Sequence, residues 1–212
     1  MGSAIHALFP HLICSLADED IRKIPVDMES GFPNLEDESL IDQIQEGNHE
    51  AFVGLVDRHS KRFYSISYRL LFSKSDAEDV VQQAFLKLWE KRLFWDQNKK
   101  AKFTTWFYRV VVNLCLDHNR KKKAMPLLEE AEPVDKQEGQ EVLLDEKRKQ
   151  ILLARFVQEL PERQRLALNL CFYENLSNKE AAEIIGIKVK ALQSLIMRAK
   201  TTLKGKLNHH FD

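Results

Sequence analysis

The chain has 212 residues, 44% hydrophobic and 30% charged, which is enough apolar material for one medium domain or two small ones. Seven glycines and six prolines argue against a turn-rich all-β fold, and no apolar run approaches the roughly 18 residues of a membrane span, so no direct membrane insertion is expected. The net charge of zero conceals a segregation: residues 1–57 carry twelve acids and two bases, 58–123 six and sixteen, 124–147 eight and two, and 148–212 six and twelve.

Two basic blocks separated by an acidic spacer suggest two surfaces for a polyanion. The three cysteines, Cys14, Cys115 and Cys171, are odd in number and far apart, which argues against a disulfide framework and for a reducing compartment. No basic segment precedes the first apolar residues, so no signal peptide is expected.

Residues 1–36 read as an extension. Ile5, Leu8, Phe9, Leu12, Ile13 and Leu16 can line one face of a short helix, and the acidic stretch 18–33 looks like a tether, either docked or disordered. A helical region starts near Asp37, with Leu40, Ile41 and Ile44 as its apolar face and Gly47 as a natural residue beyond its end. Asn48 then caps a long helix whose stripe is Phe52, Leu55, Val56, His59, Phe63, Ile66 and Leu70. His59 lies within that stripe and reads as a core histidine with a satisfied ring.

Ser75 and Glu78 have the spacing of a capping box. The helix they open runs to about Lys91 and buries Val81, Ala84, Phe85 and Leu88. Asp76, Asp79, Gln82, Gln83 and Lys87 point elsewhere; that face is either merely solvated or docks a partner helix. Residues 93–102 form a short connection with two aromatics, an amide pair and three lysines.

Residues 103–123 combine an aromatic cluster (Phe103, Trp106, Phe107, Tyr108), an apolar run interrupted by Asn113, and four consecutive bases, Arg120 to Lys123. Phe103, Trp106 or Phe107, Val110 and Leu114 recur at helical spacing. Arg109, Asn113 and Asp117 also alternate with apolar neighbours in a strand-like way, but no second strand pattern exists to pair with, so a helix is expected. Local chemistry leaves two roles open: a buried helix with a solvated basic tail, or aromatic faces and cations for unstacked bases and phosphates.

Residues 126–147 read as a flexible acidic linker. A second helical unit follows from Arg148, through Leu160 and Pro161 to the nearly continuous apolar run Leu166, Leu168, Leu170, Cys171 and Phe172, expected to be largely buried. Ser177 and Glu180 form another capping-box pattern, opening a helix with Ala181, Ala182 and Ile185 that Gly186 ends. A further helix runs from about Lys188 to Leu203. Small Ala182 at the contact and Gly186 at the turn match a helix-turn-helix. The inward face of its second helix would be Val189, Leu192, Ile196, Ala199 and Leu203, leaving Lys188, Lys190, Gln193, Ser194 and Arg198 for phosphates and base edges.

The lone Cys115-x-x-His118 pair and the loose group His6, His11 and Cys14 have no second half, so no metal is expected. No phosphate loop, nucleophile motif or paired ligand set is present, so neither a catalytic residue nor a cofactor is expected.

Two separated blocks carry a family resemblance. DAEDVVQQAFLKLWEK followed by FTTWFYRVVVNLCLDHNRKKK resembles regions 2.2 to 2.4 of bacterial sigma factors, and LPERQRLALNLCFYENLSNKEAAEIIGIKVKALQSLIMRAKTTL resembles region 4. The short spacer points to the extracytoplasmic-function (ECF) group of the sigma-70 family, and the resemblance covers about residues 37–207. It implies an all-α fold of two small helical domains, a region 2 bundle (37–125) and a region 4 helix-turn-helix (148–208), joined by the linker. The implied function is promoter-specific transcription initiation in the bacterial cytoplasm, without enzymatic activity. Asp76, Asp79, Gln82, Gln83 and Phe85 would grip the β′ coiled coil of core RNA polymerase, and the second domain would also meet the β flap. Trp106, Tyr108, Asn113, Arg120, Lys121 and Lys122 would engage the −10 element, with a flipped base held by the 93–102 loop near Asn113. Lys188, Lys190, Gln193, Ser194 and Arg198 would read the −35 element, and an anti-sigma protein would mask both domains. Gln193 and Leu195 stand where the family often has basic residues, and the N-terminal extension is longer than the minimal pattern. The competing reading is a conventional helix-turn-helix regulator with a helical ligand-sensing domain.

Overall fold

The computed structural model describes residues 35–90, 102–124 and 152–211, and every regular element among them is helical. The all-α expectation therefore holds. The contacts divide the chain into one unit within Met1–Ala124 and another within Met125–Asp212. The extension up to residue 34, nearly all of the 93–102 connection and the 126–147 linker lie outside the described residues.

Helix α1 (Asp37–Gln45) starts with two acids in its first turn, Asp37 and Glu38, which suit the positive end of the helix dipole. It buries Leu40, Ile41 and Ile44. Gly47 ends it at φ 92°, a backbone region glycine enters without strain. The Asn48 side chain then accepts the N–H groups of Glu50 and Ala51 and starts α2 (His49–Leu71), as its sequence suggests. All seven residues of the expected stripe on α2 are buried.

Asp37 fastens α1 to α2. Its carboxylate accepts from Arg58 Nη1 at 2.7 Å and lies 2.8 Å from His59 Nε2. Burial pushes the Asp37 carboxyl up, but hydrogen bonds and charge from His59 and Arg58 outweigh it, so it titrates below its ordinary value. A carboxyl depressed by folding contributes stability that is present above its unfolded pKa and is lost as pH falls through its folded one. Asp37→Asn is expected to cost about 1 kcal/mol at neutral pH. Denaturant unfolding of the variant should also lose part of the decline in stability that the native chain shows below about pH 4.

Helix α3 (Lys74–Glu90) differs at its start from the expected capping box. Ser73, not Ser75, receives the Asp76 N–H on its hydroxyl, at 3.3 Å. The cap falls two residues earlier because α2 ends at Leu71 with Phe72 as its left-handed cap, which leaves Ser73 directly before α3. Val81, Ala84, Phe85 and Leu88 are buried as expected, together with Ala77 and Val80.

Helix α4 (Phe103–Ala124) buries Phe103, Thr105, Phe107, Tyr108, Val111, Val112 and Cys115. Val110 and Leu114, expected inward, are only half-buried. The true stripe is turned by about one residue so that the aromatic rings meet. Phe63 lies 4.7 Å from Phe107, 4.9 Å from Tyr108 and 6.4 Å from Phe85, in edge-to-face contacts that favour aromatic pairs. This hub joins α2, α3 and α4.

The second unit contains a short helix at 152–158, named α5, then α6 (Glu162–Leu168), which follows Pro161. Helix α6 runs on into a π turn at Asn169–Tyr173. There Glu174 N–H reaches back five residues to the Asn169 carbonyl, at 3.0 Å. The wider turn shifts the register of the apolar run. Leu166, Leu168 and Leu170 stay buried, but Cys171 is half-buried and Phe172 is 50% exposed, against the expectation for both.

Helix α7 (Asn178–Ile185) opens on the full Ser177–Glu180 capping box and ends at Gly186, φ 74°. Helix α8 (Val189–Phe211) completes the helix-turn-helix. Leu160, Leu168 and Ala199 form a small core, with Ile196 and Leu203 packed on it. Val189, expected inward, is 39% exposed in the first turn of α8.

Candidate nucleic-acid and partner interfaces

The polar face of α3 is open at Asp79 and Gln83 and half-covered at Asp76 and Gln82. Phe85 is 0% exposed and lies in the aromatic hub, so it cannot touch a partner; it supports the face from beneath. Asp76 bonds across to α4, with its Oδ2 3.2 Å from both His118 Nε2 and Lys122 Nζ. Burial raises the Asp76 carboxyl, but Lys122 and His118 outweigh that and hold it below its ordinary value. One carboxylate thus connects the outward face of α3 to the basic end of α4.

On α4 the exposed positions Arg109, Asn113, Asp117 and Arg120 succeed one another at helical spacing, on the side away from the core. Asn113 is therefore not a core amide. Trp106 is half-buried against Phe103 and Phe107, at 5.9 and 6.0 Å between ring centres. Tyr108, expected at the DNA surface, is 0% exposed, and its hydroxyl receives a hydrogen bond from Arg62 Nε. Its place is fixed by spacing, four residues before Val112 and one after Phe107, on the buried side. Arg120 pairs with Asp117 at 2.6 Å while remaining 79% exposed. Lys121 and Lys123 are exposed.

Arg109 was not singled out for DNA, yet it stands one turn before Asn113 on the same open face. The signal was available in the i, i+4 spacing of the polar residues on α4, which was weighed only as strand-like alternation.

In the second unit Lys188 starts the recognition helix, its carbonyl accepting the N–H groups of Ala191 and Leu192. Lys188, Lys190, Gln193, Ser194 and Arg198 are all exposed. Leu195 is half-buried, whereas Met197 and Thr201, both overlooked in the sequence, are exposed. Lys200 is held over the Phe172 ring, 4.6 Å from its centre.

Residues 55–125 match the sigma-70 region 2 family and residues 150–203 match sigma-70 region 4. ECF RNA polymerase sigma factor SigW of Bacillus subtilis (strain 168) is 32% identical over 180 residues, spanning 79% of this chain and 94% of that protein. The chain is an ECF sigma factor of the sigma-70 family. Its function is to direct RNA polymerase to promoters, and the reading as a conventional helix-turn-helix regulator is not favoured. The sigma-E factor of Escherichia coli (strain K12) is 28% identical to this sigma factor over 185 residues, covering 82% of the chain and 95% of the relative. The same fold occurs in CnrH, solved with the cytosolic domain of CnrY, at a TM-score of 0.61, 24% identity, and coverage of 82% of this chain and 97% of that one. It recurs in the sigma factor RpoE of Bartonella quintana, solved with the anti-sigma factor NepR, at a TM-score of 0.57 and 21% identity over 74% of this chain and 96% of that one. Among the described residues of this sigma factor, no helix is long and apolar enough to cross a membrane.

Proposed function

We propose that this sigma factor binds core RNA polymerase through α3 and the melted −10 element through α4, and reads duplex −35 DNA with α8. In this reading residues 37–125 form the core-binding and −10 domain, 126–147 the linker, and 148–208 the −35 domain. Asp79, Gln82 and Gln83 meet the β′ coiled coil, with Asp76 at the edge of that contact, and the second domain meets the β flap. Arg109, Asn113 and Trp106 face the unstacked strand, while Arg120, Lys121, Lys122 and Lys123 meet its phosphates. Lys188, Lys190, Gln193, Ser194 and Arg198 contact the −35 duplex. An anti-sigma protein holds the free factor in the bacterial cytoplasm; CnrH and the Bartonella RpoE were each solved with such a partner or a partner domain. The factor acts by binding alone, without a catalytic group, cofactor or metal.

The observation that carries this reading is the position of Asn113. An exposed amide stands at the middle of a helix whose opposite side is buried, about two turns before the basic tail. An amide can donate to and accept from a base edge, and a flipped base offers its pairing edge once it leaves the stack.

Transcription in vitro with core polymerase and a genomic promoter library tests the reading. The chain should direct initiation from a discrete set of promoters; no directed initiation would sink it. With such a promoter, Asn113→Ala should slow open-complex formation about tenfold, the value of one lost amide–base contact. Its affinity for core polymerase should not change. Equal loss of both would make Asn113 a structural residue.

A further inference from the structure

Met197 is 66% exposed, more than any other large hydrophobic side chain among the described residues. It does not lie at a frayed end. Helix α8 continues to Phe211, and Thr201 Oγ1 donates to the Met197 carbonyl at 3.0 Å.

The register of α8 fixes where Met197 stands. Leu192, Ile196, Ala199 and Leu203 form the inward stripe, at i, i+4, i+7 and i+11. Lys190, Ser194, Met197 and Thr201 repeat that spacing two residues out of step, and all four are exposed. Two residues turn a helix by about 200°, so the second stripe is diametrically opposite the first. Met197 thus occupies the centre line of the surface that the proposed −35 reading turns towards DNA, and the inference rests on that reading.

The chemistry around Met197 selects its counterpart. Its stripe neighbours are a cation and two hydroxyls, which suit a polyanion better than an apolar protein groove. Ser194 Oγ donates to the Lys190 carbonyl at 3.0 Å, so its lone pairs remain to accept from a base amino group. In the major groove the base edges present donors, acceptors and one apolar feature, the thymine C5-methyl. A flexible, polarisable thioether can settle on that methyl without a fixed hydrogen-bond geometry.

We propose that Met197 is a specificity-determining residue that reads a thymine in the −35 element through its C5-methyl group. This adds a thymine preference to a helix whose charged residues can take phosphate or guanine.

The test uses the full chain assembled with core polymerase. Selection from promoters randomised in the −35 region defines the preferred sequence, and each thymine in it is then replaced by uracil, which removes only the methyl. At one position uracil should weaken promoter binding about fourfold, the worth of one buried methyl. Met197→Ala should bind the two bases equally at that position, and Met197→Leu should restore the discrimination. Exposed on a helix, both substitutions leave the core untouched.

Three results would overturn the proposal: a preferred −35 sequence without thymine on either strand, indifference of the native chain to every uracil, or discrimination that survives in Met197→Ala. Loss of core-polymerase binding in Met197→Ala would also overturn it, by placing the side chain against protein. If randomising the −35 region has no effect on binding, the −35 reading itself fails and takes Met197 with it. If sequence dependence persists without methyl dependence, only Met197 fails.

Discussion

Replacing Phe107 with alanine is expected to destabilise the first unit by about 3–5 kcal/mol, the usual cost of emptying a buried aromatic site. Phe107 is 0% exposed and its ring centre lies 4.7 Å from Phe63, 4.8 Å from Phe85 and 5.3 Å from Phe103. Those neighbours belong to three helices, so the void opens where α2, α3 and α4 converge and no single side chain can collapse into it. Against a typical domain stability of roughly 5–15 kcal/mol, this loss threatens the folded state itself. Chemical denaturation should show the transition of the first unit moved to much lower denaturant, with that of the second unchanged. Phe172→Ala is the control. That ring is 50% exposed in the other unit, and its removal should cost under about 1 kcal/mol. A Phe107→Ala penalty as small as that of Phe172→Ala would refute the hub as the main support of the unit.

The second large effect concerns salt. Neutralising Arg120, Lys121 and Lys123 together as glutamines should reduce the salt dependence of −10 strand binding by the holoenzyme. Each phosphate contact on a single strand contributes about 0.7 to the logarithmic slope, so three contacts contribute about 2. Between 50 and 200 mM salt, the native factor should then lose about twentyfold more affinity than the triple variant. Two of the four tail cations are already held by carboxylates in the free factor, Lys122 by Asp76 at 3.2 Å and Arg120 by Asp117 at 2.6 Å. A phosphate must compete with those carboxylates, so Lys122→Gln should change the slope less than Lys121→Gln or Lys123→Gln. Titrations of a labelled promoter at four salt concentrations measure this directly. An unchanged slope in the triple variant would remove the tail from the DNA contact.

How far the sequence reached can be seen element by element. Asn48, Gly47, Gly186 and the Ser177–Glu180 box were legible because each is a local device, complete within four or five residues. The α2 stripe was legible because a long amphipathic helix repeats its signal. The start of α3 was misplaced because two serines compete for one cap, and only the end of α2 decides between them. Helix α4 was harder. Its apolar residues exceed what one face can hold, and the inward set depends on where Phe63 and Phe85 lie, 40 and 18 residues away in the chain. Helical spacing already placed Phe85 on the buried face, as found, and only the family resemblance makes it a contact residue; for Tyr108 nothing local separates a buried aromatic from an accessible one. The π turn left no mark in the sequence, since its extra residue is as apolar as its neighbours. The inward stripe of α8 was legible, but Met197 opposite it carries no charge or hydrogen-bonding group to mark it as a DNA contact.

Helix α4 carries its inward rings and its outward Asn113 on one stiff cylinder, and that has a thermodynamic consequence for recognition. In the proposed reading, the backbone that presents these groups is ordered during folding, so no backbone entropy remains to be lost there when DNA arrives. In that reading the helix that carries the amide is held in place by rings the amide never touches. Variation among those rings can therefore alter promoter choice in cells without changing a single atom at the DNA surface.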